Sequence, residues 1–172
     1  AAQRILSWQY LLDQLQGKPE KVVLNEVNRF FNQVRFLGDV DHWNQMDYWA
    51  TPLELLATNG GDCEDFAIAK YFSLKWLGVP VGKMRLTYVK AVELNQAHMV
   101  LTYYASLGQE PMVLDNLVDD ILPASQRSDL VPVYSFNGDG LWKAKLVGDD
   151  SRLGDADDII LWKELRVRIE HE

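Results

Sequence analysis

Hydrophobic residues recur at helical spacing in the first part of the chain. Over residues 5–15 they fall three or four positions apart, and Gly17 and Pro19 then end the pattern. A second apolar stripe begins after Pro19 and ends before Gly38. The sequence therefore predicts two amphipathic helices at the start of the chain.

A polar, aromatic connector follows and leads to a third, strongly apolar helix. The connector covers residues 38–59, with a short helix predicted over 52–57. Asn59-Gly60-Gly61 then breaks the pattern just before apolar positions that extend over about 62–77, where Gly78 and Pro80 stop them. Cys63 is thereby expected in the first turn of a buried helix.

After Pro80 the apolar positions change to a period of two. Strands are predicted over residues 83–92, 96–104 and 111–114, and a further pair, 131–136 and 141–147, flanks a glycine-rich hairpin signal. The apolar residues of the tail, 159–169, fit both the period of a strand and the spacing of a helix, and we favour a helix. Helices first and antiparallel strands afterwards predict an α+β fold. We expect one domain over residues 1–172, with the cysteine-bearing helix packed on an antiparallel sheet.

Charge and hydropathy limit the classes of partner. Lys and Arg number 17 against 25 Asp and Glu, a formal net charge of −8 that argues against a nucleic-acid partner or an anionic membrane surface. No apolar run approaches the roughly 20 residues needed to span a bilayer, so we expect a protein that is not embedded in a membrane. The first residues lack a secretory signal, but an exported protein from which the signal has been removed would look the same.

Cys63 is the first candidate for chemistry. A single cysteine excludes an intrachain disulfide and a zinc site of paired cysteines, and a lone cysteine is often just a buried apolar residue. At a helix start, however, free N–H groups and the helix dipole stabilise a thiolate, and the Cys63 N–H could stabilise an oxyanion. We expect Gly60 and Gly61 to let the backbone turn tightly and a substrate approach.

A cysteine nucleophile needs a base, and the candidates are His42, His98 and His171. His98 is best placed, because it shares one face of a predicted strand with alternate residues. Asp115 ends the next strand and could orient the ring from there. Each residue alone could be structural, but their order and spacing favour a triad of Cys63, His98 and Asp115.

Acidic residues surround the cysteine. Asp62, Glu64 and Asp65 would disfavour the thiolate, because like charge raises the pKa of a thiol. They could point into water and complement the helix dipole, or they could bind a hard cation such as Ca²⁺, which takes roughly six to eight oxygen ligands. The spacing is not that of an EF-hand, so such a site would be irregular, with Asp47 as an upstream ligand. We assign no function to the second acidic cluster, residues 149–158.

Three motifs together resemble the core of transglutaminase-like cysteine proteinases. They are Gly60-Gly61-Asp62-Cys63-Glu64-Asp65, Ala97-His98-Met99-Val100 and Val113-Leu114-Asp115-Asn116. The run Asp47-Tyr48-Trp49-Ala50-Thr51-Pro52 resembles the bacterial periplasmic, LapG-type branch of that family. The resemblance extends from the second predicted helix to the tail. It implies a papain/transglutaminase-like core with extra N-terminal helices.

The resemblance also implies a function. It suggests a calcium-dependent periplasmic endopeptidase that cleaves a large surface adhesin near its N-terminus, at a di-alanine site, and so releases biofilm cells. Calcium is implied at the residues flanking the cysteine, and the implied regulator is the periplasmic domain of an inner-membrane cyclic-di-GMP receptor. Two alternatives stay open: acyl transfer of the transglutaminase type, and a catalytically silent binding module.

A second oxyanion donor is expected from the connector. Trp43, Asn44, Gln45 and Trp49 all carry side-chain N–H groups that could serve. Transglutaminase-like enzymes use an upstream tryptophan, which favours Trp49, although an aromatic residue there could equally be a core residue.

Overall fold

The computed structural model describes residues 1–106, 108–144 and 151–172. Its helices are α1 (Ala2–Leu15), α2 (Glu20–Phe31), α3 (Asp39–Trp43), α4 (Pro52–Thr58), α5 (Cys63–Trp76) and α6 (Ile160–Glu170). Its strands are β1 (Arg35–Phe36), β2 (Gly60–Gly61), β3 (Met84–Ala91), β4 (Gln96–Tyr103), β5 (Met112–Leu114), β6 (Leu122–Pro123), β7 (Leu130–Asn137), β8 (Gly140–Lys143) and β9 (Ser151–Gly154). The predicted α+β class is confirmed, and the tail is a helix as expected.

One antiparallel sheet organises the second half of the described chain. Its strand order is β6-β5-β4-β3-β7-β8-β9, so the β3–β4 hairpin lies at the centre. Leu101 of β4 lies opposite Leu114 of β5. Continuing that antiparallel register by one residue sets Asp115 opposite Val100, diagonal to His98. The sheet therefore brings the two predicted triad residues within reach of each other.

Helix α5 forms the centre of the core. Its residues from Asp65 to Leu74 are all buried, as expected for a helix without a polar face. It packs against the sheet face that carries Met99 and Leu101, with α2 and α4 on its other sides. Val100 instead joins a smaller apolar cluster on the opposite sheet face. Because side chains alternate along β4, the His98 side chain leaves the strand on the same face as Val100.

The glycines before the cysteine have a different purpose from the one that the sequence suggested. Asn59, with φ of 57°, makes the turn, whereas both glycines are extended in β2, which pairs in parallel with β1. A Cβ on Gly61 would lie 2.6 Å from Asp65 Oδ2 and 2.6 Å from Leu55 Cδ1. Gly61 is therefore required for room, so that Asp65 and Leu55 can approach the backbone closely.

Helix α6 closes over the connector. Trp162 is buried in the main core. Arg168 donates a hydrogen bond to the carbonyl of Trp49, and the Glu172 carboxylate accepts one from the Thr51 hydroxyl. The end of the chain thus holds the segment that leads to the cysteine.

Two parts of the chain differ from the predicted elements. The connector contains α3, and the short strand β1 precedes it; the sequence indicated neither element. The predicted strand 141–147 is observed as β8, and its residues 145–147 lie outside the described residues, as do Asp149 and Asp150.

Candidate active site

Cys63 is the first residue of α5 and is half-buried. Burial raises the pKa of its thiol well above the ordinary value, and the carboxylates of Glu64 and Asp62 raise it further. Sγ donates a hydrogen bond to Glu64 Oε2 at 2.9 Å. The backbone N–H of Met99 acts in the opposite direction and favours the thiolate. The thiol therefore lies beside the residue that follows His98 in β4.

His98 and Asp115 form a buried pair. His98 Nε2 lies 2.7 Å from Asp115 Oδ1, and the two side chains are 5% and 0% exposed. Burial alone would raise the pKa of Asp115, but the hydrogen bond and charge of His98, with further hydrogen bonds, outweigh it and lower that pKa to about 2. An ionised Asp115 accepts the Nε2 proton, which leaves Nδ1 as the ring nitrogen that can act as a base.

The remaining acceptor positions of Asp115 are also occupied. Oδ1 accepts the backbone N–H of Leu117 at 3.1 Å, and Oδ2 accepts Nη2 of Arg127 at 2.8 Å. No sequence motif indicated Arg127. It lies in the turn before β7, and its contact with Asp115 exists only in the folded chain.

The other histidines lie elsewhere. His42 Nε2 is 2.9 Å from the Thr58 hydroxyl, and His171 is exposed next to the end of the chain. The structure thus pairs His98 with Asp115 and sets the Cys63 thiol beside Met99, the residue after His98 in β4. Their catalytic roles stay a prediction.

The connector contributes a buried indole. Trp49 is 2% exposed, and its ring stacks on Phe136 with centroids 5.7 Å apart. Within the described residues, Nε1 of Trp49 makes no hydrogen bond of normal geometry, although it lies near enough to the Asp47 carboxylate to lower the pKa of that group; Nε1 of Trp43 is also buried without a partner. An unpaired buried donor is costly, so an acceptor is expected there when the site is in use. Asn44 and Gln45 are exposed.

The carboxylates near Cys63 converge more tightly than the sequence suggested. Oxygen atoms of Asp39, Asp62 and Asp65 lie within 4.8 Å of one another, and Asp62 also groups with Glu64 and the thiol. Burial, together with the charges of Glu64 and Asp65, raises the pKa of Asp62 to about 10. Such a cluster is electrostatically unfavourable without a counter-charge.

Unsatisfied oxygens make this cluster fit a hard cation. Among the described residues, Oδ1 of Asp39 and Oδ1 of Asp62 are buried without a hydrogen-bond partner. Carboxylate oxygens are the ligands that Ca²⁺ prefers. Asp39 was missed by the sequence analysis, because it joins the cluster only where the connector folds back and the N–H of Tyr48 binds its other oxygen.

Asp65 and Asp47 differ from the other acids. Both Asp65 oxygens already accept backbone N–H groups, that of Ala50 at 2.7 Å and that of Asp62 at 3.1 Å. Asp65 therefore has a structural function whether or not it also binds an ion. Asp47 lies further out; burial raises its pKa, and the charges of Glu64 and Asp39 add to this.

A surface groove of about 570 Å³ lies next to this cluster. It is lined by residues of β3, β4 and β7, among them Tyr88, Lys90, Gln96 and Tyr134. The Tyr88 hydroxyl is 3.5 Å from Glu64 Oε1, so Tyr88 connects the groove to the residue that follows Cys63.

Comparisons with known proteins agree on one family. The sequence model of the family described as bacterial transglutaminase-like cysteine proteinase matches residues 12–138. The EGTA-treated structure of LapG from Legionella pneumophila is 46% identical, with a TM-score of 0.88 over 96% of this chain and 88% of that chain. The calcium-bound structure of the same protein is 47% identical, with a TM-score of 0.86 over 97% and 90%. No curated protein sequence matches.

The described residues contain no helix that is both long and apolar enough to cross a bilayer.

Proposed function

The chain belongs to the bacterial transglutaminase-like cysteine proteinases, and from this we propose that it is a calcium-dependent endopeptidase of the periplasm. As a cysteine protease of this family it acts on a protein substrate. The observation that carries the proposal is the buried His98–Asp115 pair next to the helix start that holds Cys63. Because one core cluster joins residues of α1 to residues of α6, we propose that residues 1–172 act as one catalytic domain.

The proposed mechanism uses three residues. His98 Nδ1 takes the proton from Cys63 Sγ while the sulfur attacks the scissile carbonyl carbon. Asp115 orients the ring and stabilises the imidazolium. The C–N bond then breaks, and His98 returns the proton to the leaving amine. Water hydrolyses the thioester, again with His98 as the base, and the thiol is restored.

The oxyanion is proposed to bind two N–H groups. One is the backbone N–H of Cys63, which is free because it lies in the first turn of α5. The other is Nε1 of Trp49, a buried donor that makes no hydrogen bond of normal geometry among the described residues. Trp49 is held for this purpose by its stacking on Phe136 and by Arg168 on its carbonyl.

The acidic cluster is proposed to hold Ca²⁺. Asp39, Asp62 and Glu64 would supply the main ligands, and Asp65 and Asp47 would complete the site. The cation would offset the negative charge that keeps the Cys63 pKa high. Support comes from the unpaired buried oxygens of this chain and from the calcium-bound form of the similar Legionella protein.

The substrate, location and regulator follow from the family resemblance. We propose that the substrate is the N-terminal region of a large surface adhesin, cut at a di-alanine site, so that biofilm cells are released. A weak, irregular calcium site needs a compartment where free calcium is plentiful, which favours the periplasm. The proposed regulator is the periplasmic domain of an inner-membrane cyclic-di-GMP receptor, which would bind and restrain the protease.

The test is cleavage of an adhesin N-terminal fragment that carries Ala-Ala. Wild type, Cys63→Ala and His98→Ala are compared in Ca²⁺ and in EGTA, with His171→Ala as the matched histidine control. The proposal expects one cut that requires Ca²⁺, Cys63 and His98, is unaffected in His171→Ala, and disappears when both alanines are replaced by glutamate.

Other outcomes would redirect the proposal. Incorporation of a labelled amine in place of cleavage would assign transglutamination. Cleavage by Cys63→Ala, or cleavage at full rate in excess EGTA, would contradict the triad or the calcium requirement respectively.

A further inference from the structure

We propose that Arg127 is a positioning residue of this active site, which fixes the second carboxylate oxygen of Asp115 and thereby the direction in which Asp115 meets His98. The inference rests on the proposed function, since it assigns a role to Arg127 in the same triad. It concerns a residue that does not touch the substrate and acts only through Asp115.

The first observation is how the Asp115 carboxylate is held. Oδ1 is fixed by His98 and by the backbone N–H of Leu117, and Oδ2 accepts only the guanidinium of Arg127 among its described hydrogen bonds. Both Asp115 and Arg127 are buried, at 1% and 4% exposure. Without Arg127, one oxygen of a buried anion would lose its partner, and the carboxylate would be free to tilt away from the ring.

The second observation is that Arg127 is itself held in place. Its Nε and Nη2 donate to the two carboxylate oxygens of Asp129, each at 3.0 Å. Two parallel hydrogen bonds of this kind fix the guanidinium plane. The backbone carbonyl of Asp129 also accepts the N–H of Val92, which ties the turn to the end of β3. The guanidinium is therefore aimed at Asp115 by the fold.

The third observation concerns charge. Asp115 must stay ionised while His98 is neutral, and a buried anion needs a permanent positive partner. Another cation near Asp115 is Lys70 of α5, whose ammonium group donates instead to the side-chain oxygen of Asn32 at 2.6 Å. Arg127 is the cation in direct contact. Its planar group makes two parallel hydrogen bonds to Asp129 and a third to Asp115 in one fixed geometry, which the single nitrogen of a lysine cannot reproduce.

The first arm of the test examines the resting protein and needs no substrate. The NMR signal of the proton on His98 Nε2 reports its hydrogen bond to Asp115. We expect Arg127→Met, and to a smaller extent Asp129→Asn, to shift this signal and speed its exchange with water. Arg166→Met is the matched control, because Arg166 pairs with Asp157 at 2.8 Å on the exposed surface. An unchanged signal in folded Arg127→Met would overturn the proposal.

The second arm measures cleavage. Arg127→Met is expected to lower kcat by about 10- to 100-fold, as for a misplaced catalytic group, with little change in KM. Arg127→Lys should recover part of the loss, and Asp129→Asn gives a milder variant should Arg127→Met fold poorly. In an Asp115→Asn background, the further change Arg127→Met should cost less than about 3-fold, since residues that act as a unit are not additive.

The two arms separate this inference from the proposed function. A wild type that cleaves nothing would count against the protease proposal. The NMR arm would still test whether Arg127 controls the hydrogen bond between His98 and Asp115. If the losses from Arg127→Met and Asp115→Asn multiply in full, or if KM alone changes, Arg127 does not act through Asp115 and the inference is wrong.

Discussion

Replacing Asp65 by alanine is expected to destabilise the fold itself, in addition to any effect on a cation. Its carboxylate is fully buried and accepts the N–H of Ala50 and the N–H of Asp62. The first bond joins the connector to α5, and the second closes the N-terminus of that helix. Alanine removes the acceptor for both N–H groups and leaves a small cavity.

The size of the effect can be worked out from these contacts. A buried N–H that loses its partner costs about 1–3 kcal/mol. Burial raises the pKa of Asp65 to about 8, against the two N–H groups that lower it, so the carboxylate is not fully ionised at neutral pH. We therefore take a value in the lower part of this range for each of the two hydrogen bonds, which gives about 3 kcal/mol in total. That is a large share of the ~5–15 kcal/mol that stabilises a typical domain.

Urea unfolding followed by tryptophan fluorescence measures this loss. With a slope of about 2 kcal/mol per molar urea, the midpoint should fall by roughly 1.5 M. The measurement is made in EGTA and in Ca²⁺. Glu64→Ala is the matched control, because Glu64 lies in the same helical turn but its carboxylate contacts the Cys63 thiol and the Tyr88 hydroxyl rather than the backbone. Its midpoint in EGTA should change little.

One result would refute the reasoning. If Asp65→Ala unfolds at the wild-type midpoint in EGTA and differs only in Ca²⁺, then Asp65 is a cation ligand and the two backbone hydrogen bonds contribute little to stability.

Three further predictions concern stability. Gly61→Ala should cost about 1–3 kcal/mol, because its Cβ would lie 2.6 Å from the Asp65 carboxylate, while Gly82→Ala, with open space around it, should be nearly neutral in the same thermal melts. Burial lowers the pKa of Lys70 to about 7, so between pH 7 and about 10 the unfolded chain binds more protons than the folded one. The unfolding free energy of wild type, relative to that of Lys70→Met, should therefore rise across that window. If the difference between the two unfolding free energies stays constant with pH, the prediction is wrong. The lowered pKa of Asp115 stabilises the folded protein above about pH 4, and about 2 kcal/mol of this stability is lost as the pH falls to about 2. Acid unfolding of Asp115→Asn should not show this loss.

The elements that the sequence predicted well are those with a strong local pattern. Helix α5 has apolar residues on every side and a Gly-Gly break before it, and β3 and β4 alternate with a period of two. The positions of Cys63 at the start of α5, of His98 in β4 and of Asp115 directly after β5 were therefore predictable.

What the sequence did not predict depends on contacts between distant residues. Asp39 belongs to an aromatic, polar connector without periodicity, and only its folding back brings this carboxylate to Asp62. Arg127 reaches Asp115 across a turn that no local motif marks. The close packing that requires Gly61 involves Leu55, on a different element. In each case a local pattern was absent, or it had another common meaning.

The attachment of α6 to the connector has a consequence for biogenesis. Arg168 binds the carbonyl of Trp49 and Glu172 binds Thr51, partners 119 and 121 positions earlier in the chain. A polypeptide that emerges from a ribosome from its N-terminus exposes Cys63, His98 and Asp115 before the residues of α6. Contacts so distant in sequence also form slowly. The surroundings of Trp49 are thus completed only when α6 docks, later than the elements that carry Cys63, His98 and Asp115.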